Sequence, residues 1–209
     1  PELGIKNVLD SIYHASALNI DLLTFPECML AIYKSKEDAL LYPYQQDLCP
    51  YLLQICSAIK KVKIWTLAGS IIFKSENEKL VNRSLLISPH GEVVAYYDKI
   101  HMFDVSLEDG QIYKESSSYT PGNNLVIANL PFCNLGLSIC YDLRFPNLYM
   151  SLASAGADVI VVPSAFIFKT GAAHWETLLR SRAIETSSNI IAPAQCGIHE
   201  NGRVSWGNS

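Results

Sequence analysis

The sequence predicts a single α/β domain. Three observations carry that prediction: short apolar runs that stop abruptly on polar residues, amphipathic stretches at helical spacing between them, and an alternation of the two that continues without linkers, repeats or low-complexity tracts. At 209 residues and 49% hydrophobic, the chain is long enough to bury one sizeable core.

Taken in order, Leu3, Ile5, Val8, Leu9, Ile12, Ala15 and Leu18 recur at helical spacing and predict a helix from Pro1 to about Asn19. The apolar run after Asp21 reads as a strand that stops at Glu27. A second amphipathic helix is expected around Gln46 to Lys61, then strands near Ile64 to Phe73 and Arg83 to Ile87. Ser88-Pro-His-Gly91 is a hairpin turn leading into a strand over Glu92 to Tyr97. Strands near Leu125 to Ala128 and Leu135 to Ile139 lead to Cys140, and a proline-started helix follows from Pro146 to Ala155. Asp158 to Val162 is a buried strand. Trp175, Leu178, Leu179, Arg182 and Ala183 mark another helix, and Ile190 to Pro193 returns to the sheet. The segments Tyr33 to Tyr44, Asp104 to Ser118 and Phe166 to Gly171 read as loops. Helices on one face of a mixed sheet leave the other face needing cover.

A net charge of −4 and a pI near 5.7 argue against nucleic acid or an anionic membrane as the main partner, and for a small molecule. The longest apolar stretch, around Asp158 to Phe168, is too short and interrupted to span a bilayer, and no basic-then-apolar signal opens the chain, so a cytoplasmic protein is expected. The six cysteines are irregularly spaced within apolar segments and read as reduced thiols. No Cys-x-x-Cys or His-Glu-x-x-His spacing occurs and the five histidines do not cluster, so neither a metal nor another cofactor is expected.

Chemistry is suggested first at Cys140. The run Asn134-Leu-Gly-Leu-Ser-Ile-Cys140 breaks at once into Tyr-Asp-Leu-Arg-Phe-Pro146, the pattern of a nucleophile elbow on a strand-to-helix turn. A buried strand cysteine is the plainer alternative, since a free cysteine packs as a small hydrophobe. Two other strand ends supply what a catalytic thiol would need. Asp21-Leu-Leu-Thr-Phe-Pro-Glu27 leaves a carboxylate above the sheet, and Glu92-Val-Val-Ala-Tyr-Tyr-Asp-Lys99 leaves a lysine followed by His101 and Asp104. Alone, either would read as a solvated surface residue.

Together these segments resemble the nitrilase superfamily of carbon-nitrogen hydrolases. The matching pieces also include Lys114-Glu115-Ser116, Pro121-Gly122, Gly156 to Ala165, Thr170 to Glu176 with Arg180 to Glu185, and Ser205-Trp-Gly207, covering nearly the whole chain in order. Within it, His174 to Arg180 and Pro193 to Gly197 look most like the branch that includes deaminated glutathione amidase, with ω-amidase as a neighbour. The resemblance implies an α-β-β-α sandwich, two copies pairing through helices as a homodimer, and a Glu27-Lys99-Cys140 triad that cleaves a small amide through a thioester. It implies that Glu115 orients Lys99, and that the backbone N–H of Tyr141 joins Lys99 at the oxyanion. Arg144 would clamp a substrate carboxylate, or else pair with Asp142 or a helix acid. Glu176 would line the pocket, or else pair with Arg180 one helical turn away. His101 and Asp104 are expected to brace the loop that carries Lys99.

The pattern departs from the family at Asn147, where a glutamate is usual, and at Asn208, where a histidine is usual. Both ends read as cut, with terminal strands of the family absent. A non-catalytic relative serving as a binding or scaffold protein and an acyltransferase of the same superfamily are the competing readings, with nitrile hydrolysis a lesser one.

Overall fold

A computed structural model of the chain describes residues 1–75, 79–106, 110 and 112–209. Part of the segment read as a loop over Asp104 to Ser118, at 107–109 and 111, therefore lies outside the described residues.

The first sheet is built from β1 (Leu22–Thr24), β2 (Trp65–Lys74), β3 (Leu80–Ile87) and β4 (Val93–Asp98) in that spatial order, β1 parallel to β2 and the rest antiparallel. The long alternating runs of β2 and β3 place successive side chains on opposite faces. Leu85 and Ile87 turn outward to a helical layer of α1 (Glu2–Ala15) and α3 (Pro50–Val62), where Ile5, Val8, Ile12, Ile55 and Ile59 cover the sheet. Leu67 and Leu86 turn inward.

They meet the second sheet, in which β7 (Ile127–Asn129), β8 (Asn134–Leu137), β9 (Val159–Val161) and β10 (Asn189–Ile191) lie in the order β10-β9-β8-β7. Its three central pairings include two parallel ones, β10 to β9 and β9 to β8, and β7 is antiparallel. Gly136 faces α4 (Pro146–Ser154), since a Cβ there would press on Leu152, Ala157 and Ile160. Its neighbours Leu135 and Leu137 therefore face the first sheet, where they join Leu67 and Leu86 in one buried cluster. Trp175 of α5 (Phe168–Thr186) and Tyr149 of α4 close the far side. The result is the α-β-β-α sandwich that the resemblance implies.

Several elements differ from the sequence reading for identifiable reasons. The first helix stops at Ala15, and the chain turns through Asn19 at φ 46°. The expected helix over 46–61 splits into a 3-10 turn at Gln46–Leu48 and α3, because Cys49 precedes Pro50 and adopts an extended ψ of 107°. A short helix, α2 (Lys36–Leu41), forms inside the segment read as a loop; Ser35 caps it by accepting from the Asp38 N–H at 3.1 Å. Two hairpins of three-residue strands also went unread: β5 (Asp104–Ser106) with β6 (Ile112–Lys114), and β11 (Cys196–Ile198) with β12 (Val204–Trp206). Three residues are too few to show an alternation.

All six cysteines are free. No described helix is long and apolar enough to cross a membrane, and among the described residues no group of histidine, cysteine and acidic side chains is arranged to hold a metal.

Candidate active site

Strand ends from both sheets converge at one edge of the sandwich, the edge where parallel strands finish and where α/β proteins place their sites. Beyond β8 the chain reaches Cys140, whose backbone is left-handed at φ 48° and whose N–H donates to the Pro163 carbonyl at 2.9 Å. Such a conformation is costly for a residue with a Cβ, by about 1–3 kcal/mol, and persists only where neighbours enforce it. Asp142 is the enforcer. Fully buried, it accepts from the Ile139 N–H (2.9 Å), the Tyr97 hydroxyl (2.7 Å) and the His101 N–H (3.0 Å), with His101 Nδ1 at 2.7 Å. One carboxylate thereby ties the Cys140 turn to β4 and to the segment just after Lys99.

Glu27 is delivered by a crossing made possible at Gly69. There β2 is irregular in register, and a Cβ would overlap the Phe25 carbonyl, so glycine lets the Phe25-Pro26-Glu27 segment lie close on the strand. The Ser70 N–H donates to the Pro26 carbonyl at 3.2 Å, and Ser70 Oγ accepts from the Cys28 N–H at 2.9 Å. Lys99 is held similarly: Gly122 passes too near the Asp98 carbonyl for any side chain, and its N–H donates to the Lys99 carbonyl at 2.9 Å.

The three side chains are buried together. Lys99 Nζ donates to Glu27 Oε1 at 3.0 Å and to both oxygens of Glu115 at 3.0 and 3.1 Å. Glu27 Oε1 also accepts from Asn82 Nδ2 at 2.9 Å, and Oε2 from the Ala165 N–H at 2.9 Å. The Cys140 thiol lies close enough to the same carboxylate for each to shift the other's pKa. Glu115 is fixed in turn by the Phe103 N–H at 2.6 Å.

These contacts set the charge states. Burial pushes the Glu27 carboxyl up, but the Lys99 ammonium and the hydrogen bonds from Cys140 and Lys99 outweigh it, leaving the group below its ordinary value. Burial pushes the Lys99 ammonium down; Glu115 and Glu27 more than reverse this and hold it well above its usual range. For Cys140, burial first and the Glu27 charge second hold the thiol protonated, well above its usual range. The resting arrangement is therefore a protonated thiol beside an ionised carboxylate and a fixed ammonium. Such a set can give a sulfur nucleophile at the moment its proton moves to Glu27.

A cavity of about 580 Å³ opens over this cluster, lined by Glu27, Lys99, Glu115 and Cys140 at its floor. Tyr141 and Arg144 also line it. Arg144 does not pair with Asp142, whose oxygens are occupied as above. Its Nη1 and Nη2 lie 3.3 Å from His174 Nδ1, and its guanidinium sits 5.5 Å from the centre of the Phe166 ring. Glu176 is not brought to the cavity: it projects from the solvent side of α5, 76% exposed, and accepts from Arg180 Nε at 2.8 Å across one helical turn. The expectation that it lines the pocket is corrected accordingly; the helix's Trp175 face is the buried one. His101 and Asp104 brace the lysine loop, the first through Asp142 and the second by accepting from the Ser116 N–H at 3.0 Å and hydroxyl at 2.5 Å. Asn208 holds the core through its backbone, its carbonyl accepting from Trp175 Nε1 at 2.7 Å.

Sequence reasoning passed over Asn82, Asp142, Ala165 and Arg203. Arg203, from the C-terminal hairpin, lines the cavity and donates from Nη2 to the Ala165 carbonyl. The polar Asn82, among apolar residues such as Leu80 in a strand that packs into the core, was the one available signal.

Comparison with known proteins gives a consistent answer. The family model for carbon-nitrogen hydrolases matches residues 2–209. The chain is 38% identical to the deaminated glutathione amidase of Dictyostelium discoideum, over 100% of this chain and 74% of that protein. It is 43% identical to the deaminated glutathione amidase of Yersinia enterocolitica, over 77% of this chain and 57% of that protein. Among solved structures, the C. elegans NitFhit protein superposes with a TM-score of 0.90 at 33% identity, covering 100% of this chain and 51% of that one. The chain thus spans between about half and three quarters of the length of these relatives.

Proposed function

The chain belongs to the carbon-nitrogen hydrolase family, and from that premise we propose that the protein is a cysteine amidase acting on a small linear ω-amide that carries a carboxylate. The observation that supports this most is the convergence of Glu27, Lys99 and Cys140, buried together at the floor of one cavity with Lys99 donating to Glu27.

In this reading the Cys140 sulfur attacks the amide carbon while its proton passes to Glu27. The carbonyl oxygen becomes an oxyanion stabilised by Lys99 and the backbone N–H of Tyr141. Glu27 then gives its proton to the departing nitrogen, the C–N bond breaks, and ammonia from a primary amide, or the free amine from a substituted one such as deaminated glutathione, leaves a thioester on Cys140. In the second half Glu27 takes a proton from water, the hydroxide adds to the thioester, and the returning proton restores the thiol as the acid leaves. Lys99 stays charged throughout, because its pKa is held high, and so it is a fixed cation rather than a base. Glu115 keeps it aimed. Arg144 is assigned the substrate carboxylate, on the strength of its cavity position and its planar fork. The relatives named for deaminated glutathione make that compound and 2-oxo-acid ω-amides the leading substrates. Pairing of two copies through helices and residence in the reducing cytoplasm complete the proposal, supported by the exposed Ile184 on α5 and the six free thiols. Sedimentation velocity returning only monomer would remove the pairing.

The test is release of ammonia from primary ω-amides and of the free amine from deaminated glutathione by the full-length protein, with mass spectrometry of a quenched reaction. An acyl adduct on Cys140, absent in Cys140→Ala along with turnover, is the expected result. Retained turnover in Cys140→Ala, or an adduct on another cysteine, would overturn the mechanism.

A further inference from the structure

The cavity is more cationic than one substrate carboxylate requires. The protein as a whole carries −4, yet among the described residues the cavity's only carboxylates, Glu27 and Glu115, are both held on Lys99, while Lys34, Lys114, Arg144 and Arg203 also line it. Lys34 is drawn outward to Glu200 at 3.4 Å.

Arg203 differs from these. It stands in the hairpin formed by β11 and β12, where its backbone N–H donates to Asn201 Oδ1 at 2.9 Å and Asn201 Nδ2 donates to the Tyr33 carbonyl at 3.2 Å. The guanidinium is tethered by Nη2 alone, to the Ala165 carbonyl. Nε is buried with no hydrogen-bond partner, and no carboxylate among the described residues pairs with the group. A half-buried guanidinium in a cavity wall, bonded through one nitrogen and with its Nε buried and unpartnered, calls for an acceptor that arrives from outside the chain. Arg144 and Arg203 flank consecutive residues of one segment, Arg144 over the Phe166 ring and Arg203 on Ala165. At about 580 Å³ the cavity is within the range that takes drug-sized ligands and is roomier than a single amide with one acid group needs.

We propose that Arg203 is the binding residue for a second anionic group of the substrate, so that the cavity selects amides bearing two carboxylates, one on Arg144 and one on Arg203. This rests on the amidase reading above. It assigns the C-terminal hairpin a part in specificity, and it makes Ala165 the meeting point of recognition and chemistry, with its carbonyl on Arg203 and its N–H on Glu27.

The test compares, in the full-length protein, a linear ω-amide with two carboxylates against the same amide with the carboxylate farther from the amide blocked as a methyl ester. The wild type is expected to prefer the diacid by about 10- to 100-fold in kcat/KM, chiefly through KM. In Arg203→Gln that preference should collapse toward unity, and in Arg203→Lys, which keeps the charge and loses the fork, it should be partly retained. Absence of any preference in the wild type overturns the inference. So does an Arg203→Gln variant that lowers both substrates equally, since Arg203 would then only prop Ala165. If Arg203→Gln fails to fold, the wild-type preference and Arg203→Lys decide. If the wild type hydrolyses no amide, the amidase reading falls by itself; calorimetric titration of Cys140→Ala with the diacid and the ester still decides the anion site, and equal affinities overturn it.

Discussion

Glu27 has one carboxylate to serve three donors, Lys99, Asn82 and the Ala165 N–H, beside the Cys140 thiol, and this governs what single substitutions should do. Because Lys99 and the hydrogen bonds hold its pKa below the ordinary value of 4.5, the base remains ionised until the pH falls beneath that value. Cys140 meanwhile stays a thiol through neutrality, its pKa raised by burial and by Glu27. The kcat/KM profile should therefore be flat across neutral pH, with an acid limb below 4.5 rather than one near 6 or 7. An acid limb centred on neutrality would mean that another group is the base. Glu27→Gln keeps the shape and loses the proton acceptor, and kcat should fall by about 10²- to 10⁴-fold, read by ammonia release under saturating amide. The residues that carry these expectations were legible in the sequence because each ends an apolar run: Glu27 after β1, Lys99 after β4, Cys140 after β8. Asp142, Asn82 and Arg203 were not, since their partners lie 41, 55 and 38 positions away and no local pattern announces them.

At the scale of elements, the long strands and the amphipathic helices could be read because their periodicity extends over enough residues to show. The short hairpins and the capped turn at Lys36–Leu41 are fixed by contacts made after folding, such as the β12 seat against α5, where Gly171 leaves room for Trp206. The Gly69 crossing belongs to the same class, being a backbone approach that the sequence records only as one glycine in a strand. Its prediction is specific. Gly69→Ala should push the Phe25 carbonyl off β2 and shift Glu27 from Lys99, with stability falling by about 1–3 kcal/mol in urea denaturation and kcat falling further than that loss explains. An alanine variant with wild-type kcat would show that the crossing does not position the base.

For the whole molecule, the seam between the sheets matters most, because the two halves of the proposed site ride on opposite sides of it. Glu27 and Lys99 extend from the first sheet, Cys140 and Ala165 from the second. Leu137→Ala, in the seam, and Ile55→Ala, in the outer helical layer, both empty a fully buried site and should each cost about 2–5 kcal/mol. Only the first should also depress kcat at a temperature where both variants are folded, by about tenfold or more, since small misplacements of reacting groups are expensive. Equal kcat values for the two would break the link between seam and site. The sandwich then behaves as a hinge-free clamp whose setting is recorded in turnover. Its history should follow suit: a change of side-chain volume on one sheet is repaired most directly from the facing one, so suppressors of Leu137→Ala selected for regained activity are expected at Leu67 or Leu86, across the gap, rather than among the helices.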